Sequence, residues 1–187
     1  MKRMLASLAL LVFAPLLTAQ DHPMHAGPPA SPAATVTATV AGKTISISYS
    51  SPRVKGRAGK LFGKDGRIAQ DPQYPIWRAG ANAATTLHTD ADLVIGGLAV
   101  PKGNYTLFVD ISDPAHWVLV ISKQTGEWGL SFDKAEELGR VKMETSATPA
   151  LVEELVYKLP GLSERKSSGK LVLAWENVSA AVTVRVQ

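Results

Sequence analysis

The chain contains no cysteine. That excludes disulfides, thiolate zinc sites, haem attachment and a lipid-modified N-terminal cysteine. Stability must come from packing alone. Aromatic residues are scarce, at 6% of the chain, so each of the four tryptophans has to be placed individually. Helical periodicity is almost absent, and no apolar run of spanning length follows Leu17. Familiar catalytic signatures are missing too. There is no Gly-x-Ser-x-Gly elbow, Ser-x-x-Lys or His-Glu-x-x-His motif. Nor is there an aspartate-rich calcium loop or a phosphate-cradling Gly-Lys-Ser/Thr loop. These absences weigh against an enzyme. A site assembled from separate loops of a β-protein stays open.

The first residues have the layout of a secretory signal. Lys2 and Arg3 precede the apolar run Met4–Leu17, and Thr18-Ala19-Gln20 offers a small residue for cleavage after Ala19. The run is shorter than the ~20 residues a membrane span needs and contains Pro15. An exported, periplasmic or extracellular protein without a transmembrane segment is expected. Removing residues 1–19 from the 187 leaves 168, the length of one domain with a real core. Lys2 and Arg3 leave with the signal, so the formal charge falls from +4 to +2. That is no argument for nucleic acid, which calls for a strongly basic surface.

Residues 20–34, QDHPMHAGPPASPAA, carry no periodicity and read as a flexible tail. Cleavage after Ala19 would start the chain at Gln20-Asp21-His22. The α-amine, two amide nitrogens and the His22 imidazole could then form a square-planar site for Cu(II) or Ni(II), with His25 nearby. No other cofactor is expected.

From residue 35 to 187 the pattern is period-2 alternation, the mark of strands with one buried face. It runs through Ile45, Ile47 and Tyr49, and through Tyr105, Leu107, Val109 and Ile111. It continues at Trp117, Leu119 and Ile121, and at Val141 and Met143. It ends with Leu171, Leu173 and Trp175, then Val182, Val184 and Val186. Shorter examples lie at Leu87 and at Leu93 with Ile95. Gly96-Gly97, Pro101–Asn104, Asp113-Pro114 and Pro160-Gly161 punctuate these runs. About nine or ten short strands in an all-β antiparallel sandwich are expected, as a single domain. Residues 133–138 read as one helical turn. Leu151, Val152, Leu155 and Leu159 fit a helix, but Leu155, Tyr157 and Leu159 fit a strand; the flanking strands favour the latter.

The segment Ser50–Asn82 breaks this rhythm. Seven lysines and arginines face only Asp65 and Asp71 there. Long connections in compact domains are uncommon and usually functional or disordered, and Leu61, Phe62, Ile68 and Trp77 argue against disorder. One long ordered loop is therefore expected, with Asp65-Gly66 turning a hairpin-like middle. Arg53, Arg57 and Arg78 present guanidinium forks suited to carboxylate or phosphate. Asn82 adds polar groups, while Trp77, and Trp128 of Gly126–Gly129, offer apolar surfaces for a sugar or aromatic ring. The alternative is that these residues only hold the loop in place.

SPRVKGR at 51–57, WRAGAN at 77–82 with Ala84-Thr85-Thr86, PKGNYTLF at 101–108 and GEWG at 126–129 closely resemble the bacterial family known as domain of unknown function 2911. The resemblance runs in order from about Ile45 to about Val186. It implies an exported single domain and assigns no catalytic residue. Two departures stand out: the connection from Arg57 to Trp77 is longer than usual, and Ala83 stands where an acidic residue is expected.

Three functions follow as expectations. The first is a binding module for an anionic or carbohydrate-like ligand. The second is an envelope or extracellular hydrolase. The third is a structural domain that partners an envelope protein through a strand edge.

Overall fold

The computed structural model describes residues 29–126, 129 and 131–187. The tail histidines His22 and His25, the signal and Trp128 lie outside the described residues. Among those described, no helix is long and apolar enough to cross a membrane.

The described residues form a two-sheet antiparallel sandwich of eleven strands. These are β1 (Ala33–Val40), β2 (Lys43–Ser50), β3 (Ile76–Trp77), β4 (Thr85–Thr89), β5 (Leu93–Ile95) and β6 (Leu98–Val100). They continue with β7 (Gly103–Asp110), β8 (Val118–Ser122), β9 (Glu137–Lys142), β10 (Glu144–Lys158) and β11 (Ser168–Val186). The larger sheet runs β1-β2-β4-β7-β8-β9, with β3 also paired to β7; the smaller runs β10-β11-β5-β6. The first strand opens at Ala33, two residues ahead of the expected tail boundary. Residues 150–159 are strand through Lys158, and Lys134–Glu136 form one 3-10 turn.

Alternation puts one face of each strand into the core. Ile47 stands opposite Leu87 and Leu107 opposite Ile121 in the larger sheet. From the smaller sheet they meet Leu93, Leu155, Leu171 and Leu173, all essentially inaccessible. Each such side chain contributes about 1.5–3 kcal/mol through burial.

At β11 the strand differs from the alternating runs of the sequence. Two alternating runs, 171–175 and 182–186, form one strand of 19 residues. Inward positions are odd through Trp175 and even from Ala180 onward. Glu176 makes the change of phase, with φ at +56° and register shifts in the paired β10. At this bulge the extra residues lie in β10, where Ala147 to Val156 span the stretch opposite Val178 to Ala174. The turn of the backbone at Glu176 sends the following side chains of β11 to the other face. From sequence alone the flip looks like a chain break.

The two sheets are joined at their sides. On one, Leu98 of β6 packs where a Cβ on Gly139 of β9 would stand, 2.8 Å away. On the other, residues 51–55 run along β10. Leu155 N donates to Pro52 O at 3.0 Å and Val54 N to Glu153 O at 2.8 Å. Ser51 Oγ adds a bond to Leu155 O at 2.7 Å. Pro52 needs no partner for a missing N–H at such an edge.

The connection after residue 55 is ordered, but its middle is not a hairpin. Gly66 N bonds Gly63 O at 3.0 Å, closing a turn centred on Lys64-Asp65, and neither Asp65 nor Gly66 takes the positive φ of the expected hairpin turn. No strands flank it; a 3-10 turn at Ile68–Gln70 follows instead. A Cβ on Gly66 would sit 2.5 Å from the carbonyl oxygens of both Leu61 and Phe62. The segment coils onto itself because Leu61, Phe62 and Ile68 point into the sandwich end rather than alternating across a ladder.

Candidate functional site

Phe62 enters an aromatic cluster under this connection. Its ring centroid lies 4.9 Å from Trp117, 5.7 Å from Trp77 and 5.8 Å from Trp175. Trp77 and Trp175 stack 5.9 Å apart at an interplanar angle of 17°. The faces of Trp77 are thus largely spent inside the protein, with 3% of the residue exposed. The same is true of Trp175, whose indole N–H is buried and has no hydrogen-bond partner among the described residues.

Above the cluster lies a cavity of about 740 Å³. Arg53, Arg57, Trp77, Arg78 and Asn82 all line it, drawn from both ends of the connection. Lys55 and Arg67 join its wall, and Leu61, Ile68 and Trp175 its floor. Five cations therefore line it together with Asp71, the single carboxylate among the described residues of the lining.

Each wall residue is held differently. Arg53 pairs with Glu154 at 2.6 Å, near the surface. Arg78 pairs with Asp71 at 2.7 Å in a largely buried contact and donates from Nη1 to Asn82 O at 3.1 Å. Arg57 meets no carboxylate among the described residues. Its Nε donates to Val54 O at 2.8 Å and its Nη2 to Arg53 O at 2.6 Å. Arg67 donates to the neutral Gln70 Oε1. Lys55 is anchored by its backbone N–H, which donates to Glu153 Oε1 at 2.8 Å.

The run WRAGAN is a device for turning the chain at the cavity wall. Ala79 and Asn82 adopt φ of +51° and +57°, a conformation that Asn tolerates and Ala resists. Ala79 is kept there because its buried carbonyl accepts from Thr85 Oγ1 at 3.1 Å and Tyr157 Oη at 2.9 Å. Burial pushes the Tyr157 phenol far above its ordinary range, so it stays a donor. Gly80 has no room for a Cβ, which would stand 2.9 Å from Thr85 Oγ1. Asn82 Nδ2 reaches Ser31 O at 3.4 Å, so the chain entering β1 forms part of the rim.

Gly129 packs at the same place. A Cβ on Gly129 would stand 2.5 Å from Arg78 Cδ and 2.8 Å from Asn82 O. The Gly129 backbone is therefore packed against the Arg78 side chain and the Asn82 carbonyl. Glu176 ties the bulge of β11 to the connection, its buried carboxylate accepting from Gly59 N.

Sequence reasoning missed Lys55, Arg67 and Trp175. Lys55 and Arg67 were visible in the cationic run but had no motif to single them out. Trp175 was legible only as core, because its place in the floor depends on a strand about 100 residues from the connection. Away from the cavity, His88 bonds Asn104 Oδ1 at 2.8 Å and Asp90 Oδ1 at 3.1 Å. The Asn104 bond, more than any other cause, raises the His88 pKa. The backbone N–H of Thr44 holds Asp90 below the usual carboxylate range. No group of three or more His, Cys, Asp and Glu among the described residues is placed to hold a metal.

Residues 31–184 match the model of the family described as protein of unknown function DUF2911, and the chain belongs to that family. No curated protein and no solved structure matches it.

Proposed function

We propose that this member of the DUF2911 family is an exported binding module for an anionic or carbohydrate-like ligand in the cell envelope. The observation that carries the reading is the convergence of Arg53, Arg57, Trp77, Arg78 and Asn82 on one cavity. A volume of about 740 Å³ suits a small organic molecule. An apolar floor with a few convergent polar groups is the usual make-up of such sites. Five cations against one carboxylate focus a positive potential that draws anions inward.

Binding is favoured over hydrolysis by the lining itself. Among the described residues its one carboxylate, Asp71, is engaged by Arg78, and no histidine lines the cavity. Acid-base chemistry needs a proton carrier within hydrogen-bond reach of the substrate. The Lys2-Arg3 start, the apolar run and Ala19 support export.

A thermal-shift panel of sugars, anionic metabolites and divalent cations tests the reading, repeated on Arg78→Ala. An anionic or sugar ligand should raise the melting temperature of the protein and do so less in the variant. A flat response to the whole panel would count against binding. Export is checked by fractionating the native host and weighing the secreted chain, whose N-terminus should be Gln20.

A further inference from the structure

We infer that the occupant of this cavity is a soluble phosphate monoester, and that Lys55, Arg57 and Arg67 hold its phosphoryl oxygens. The inference rests on the binding reading above and narrows it to one ligand chemistry and three residues.

The five wall cations fall into two groups. Arg53 and Arg78 are neutralised by Glu154 and Asp71. Among the described residues, the side-chain charges of Lys55, Arg57 and Arg67 form no ion pair, although all three line the cavity; the Glu153 carboxylate meets only the backbone N–H of Lys55. A carboxylate ligand supplies a single negative charge and a neutral sugar none. A phosphate monoester carries about −1.5 to −2 near pH 7 and presents three strong acceptor oxygens. It is the simplest ligand group whose charge and acceptor count both answer three uncompensated cations.

Arg57 is also prepared for the task. Carbonyls of Val54 and Arg53 fix its Nε and Nη2, leaving Nη1 without a partner among the described residues. A guanidinium already fixed in place loses little side-chain freedom when it binds.

The rest of the cavity indicates that phosphate comes attached to something. A volume of about 740 Å³ far exceeds a bare phosphate, and Leu61 and Ile68 on the floor with Asn82 and Ser31 at the rim offer contacts to an organic portion. The same phosphoryl group occurs in lipid head groups. Among the described residues the one large exposed hydrophobic side chain is Leu151, which does not line the cavity. A soluble ester fits that surface better than a bilayer does.

Titration calorimetry of the purified protein with ribose 5-phosphate, ribose and glucuronate tests this, with flotation on vesicles containing phosphatidic acid as a separate arm. Ribose 5-phosphate should bind at least roughly tenfold more tightly than ribose or glucuronate, and more weakly as salt rises. Arg57→Ala and Arg67→Ala should each lower that affinity by roughly tenfold, the loss typical of a charge-assisted contact. Arg53→Ala should lower it less.

Arg57 also braces the backbone at residues 53–54. If Arg57→Ala fails to fold, Arg67→Ala and Lys55→Ala, both exposed side chains, carry the test. Equal or tighter binding of ribose or glucuronate would overturn the phosphate assignment and leave the binding module standing. Binding to the vesicles without binding of ribose 5-phosphate would overturn the soluble ester. Silence from every probe would overturn the inference, and a flat thermal-shift panel beside it would remove the binding reading as well.

Discussion

The body of the sandwich and the 51–82 connection are stabilised in different ways. In the body, Leu107 is flanked by ladders on both sides and covered by the facing sheet, so many neighbours hold it at once. In the connection a small set of fastenings does the work: Ser51 on Leu155, Gly59 on Glu176, Phe62 among the tryptophans and Asp71 on Arg78. Redundant packing leaves one buried side-chain polar atom of the body unpaired among the described residues, the Trp175 indole N–H at the junction. Sparse fastening fixes a shape and leaves the Lys55, Arg57 and Arg67 side chains with no ion pair among the described residues. The region able to bind something is therefore the one least committed to its own cohesion. The two regions meet where Trp77 of the connection stacks on Trp175 of the body.

The largest expected effect probes that junction. Trp175→Ala should cost roughly 3–5 kcal/mol in urea denaturation and abolish ligand-induced thermal shifts. Leu107→Ala should cost roughly 2–5 kcal/mol while the folded fraction keeps its ligand affinity. Equal loss of binding in both would erase the distinction between body and connection.

Next comes Gly129→Ala. Its Cβ must displace Arg78 or the Asn82 carbonyl, an overpacking that costs roughly 1–3 kcal/mol. Unchanged stability and unchanged ligand response would mean that the GEWG segment does not brace the wall.

Asp71→Asn should cost about 1–2 kcal/mol, because Arg78 loses its partner in a largely buried place. The same change makes the cavity more cationic, so anion affinity should rise as stability falls. Weaker anion binding in this variant would show that Arg78 must be held by Asp71 to serve the site.

The smallest effect lies on the outer face of β4. His88 has a raised pKa in the folded chain, so its contribution is complete below the unfolded value near 6.5 and fades as pH rises through the folded value. Asp90 has a lowered one, so its contribution is present above about 3.8 and is lost as pH falls through the folded value. A shallow stability maximum between those limits should appear in melting temperature against pH and flatten in His88→Gln. Ligand affinity should be untouched by that variant; a parallel loss would tie this face to the cavity.

Much of the fold was legible because alternation needs only local information. Ile45, Leu107, Leu119 and Leu171 read as inward-facing and are. The strand at 150–159 was resolvable only through its neighbours, since Leu151 and Leu155 satisfy both periods. The bulge at Glu176 was invisible, because a change of phase within one strand and two strands with a break look alike in sequence. The hairpin expected at Asp65-Gly66 is replaced by a turn centred on Lys64-Asp65 with no flanking strands, because Leu61 and Ile68 are drawn to the sandwich end and not to each other. Arg53, Arg57, Arg78 and Asn82 could be singled out by chemistry. Their division into neutralised and unneutralised cations could not, as Glu154 lies about 100 residues from Arg53.

What the sequence determined by itself is the class of fold, the family and the composition of the connection. Periodicity, turn residues and motif order are written along the chain, and their physical causes act over a few neighbouring residues. Only the tertiary structure decided that both ends of the connection close around one cavity, that Trp175 floors it and that three side-chain cations there form no ion pair among the described residues. Those outcomes depend on distances between groups far apart in sequence, and charge neutralisation falls so steeply with distance that no local pattern can reveal it.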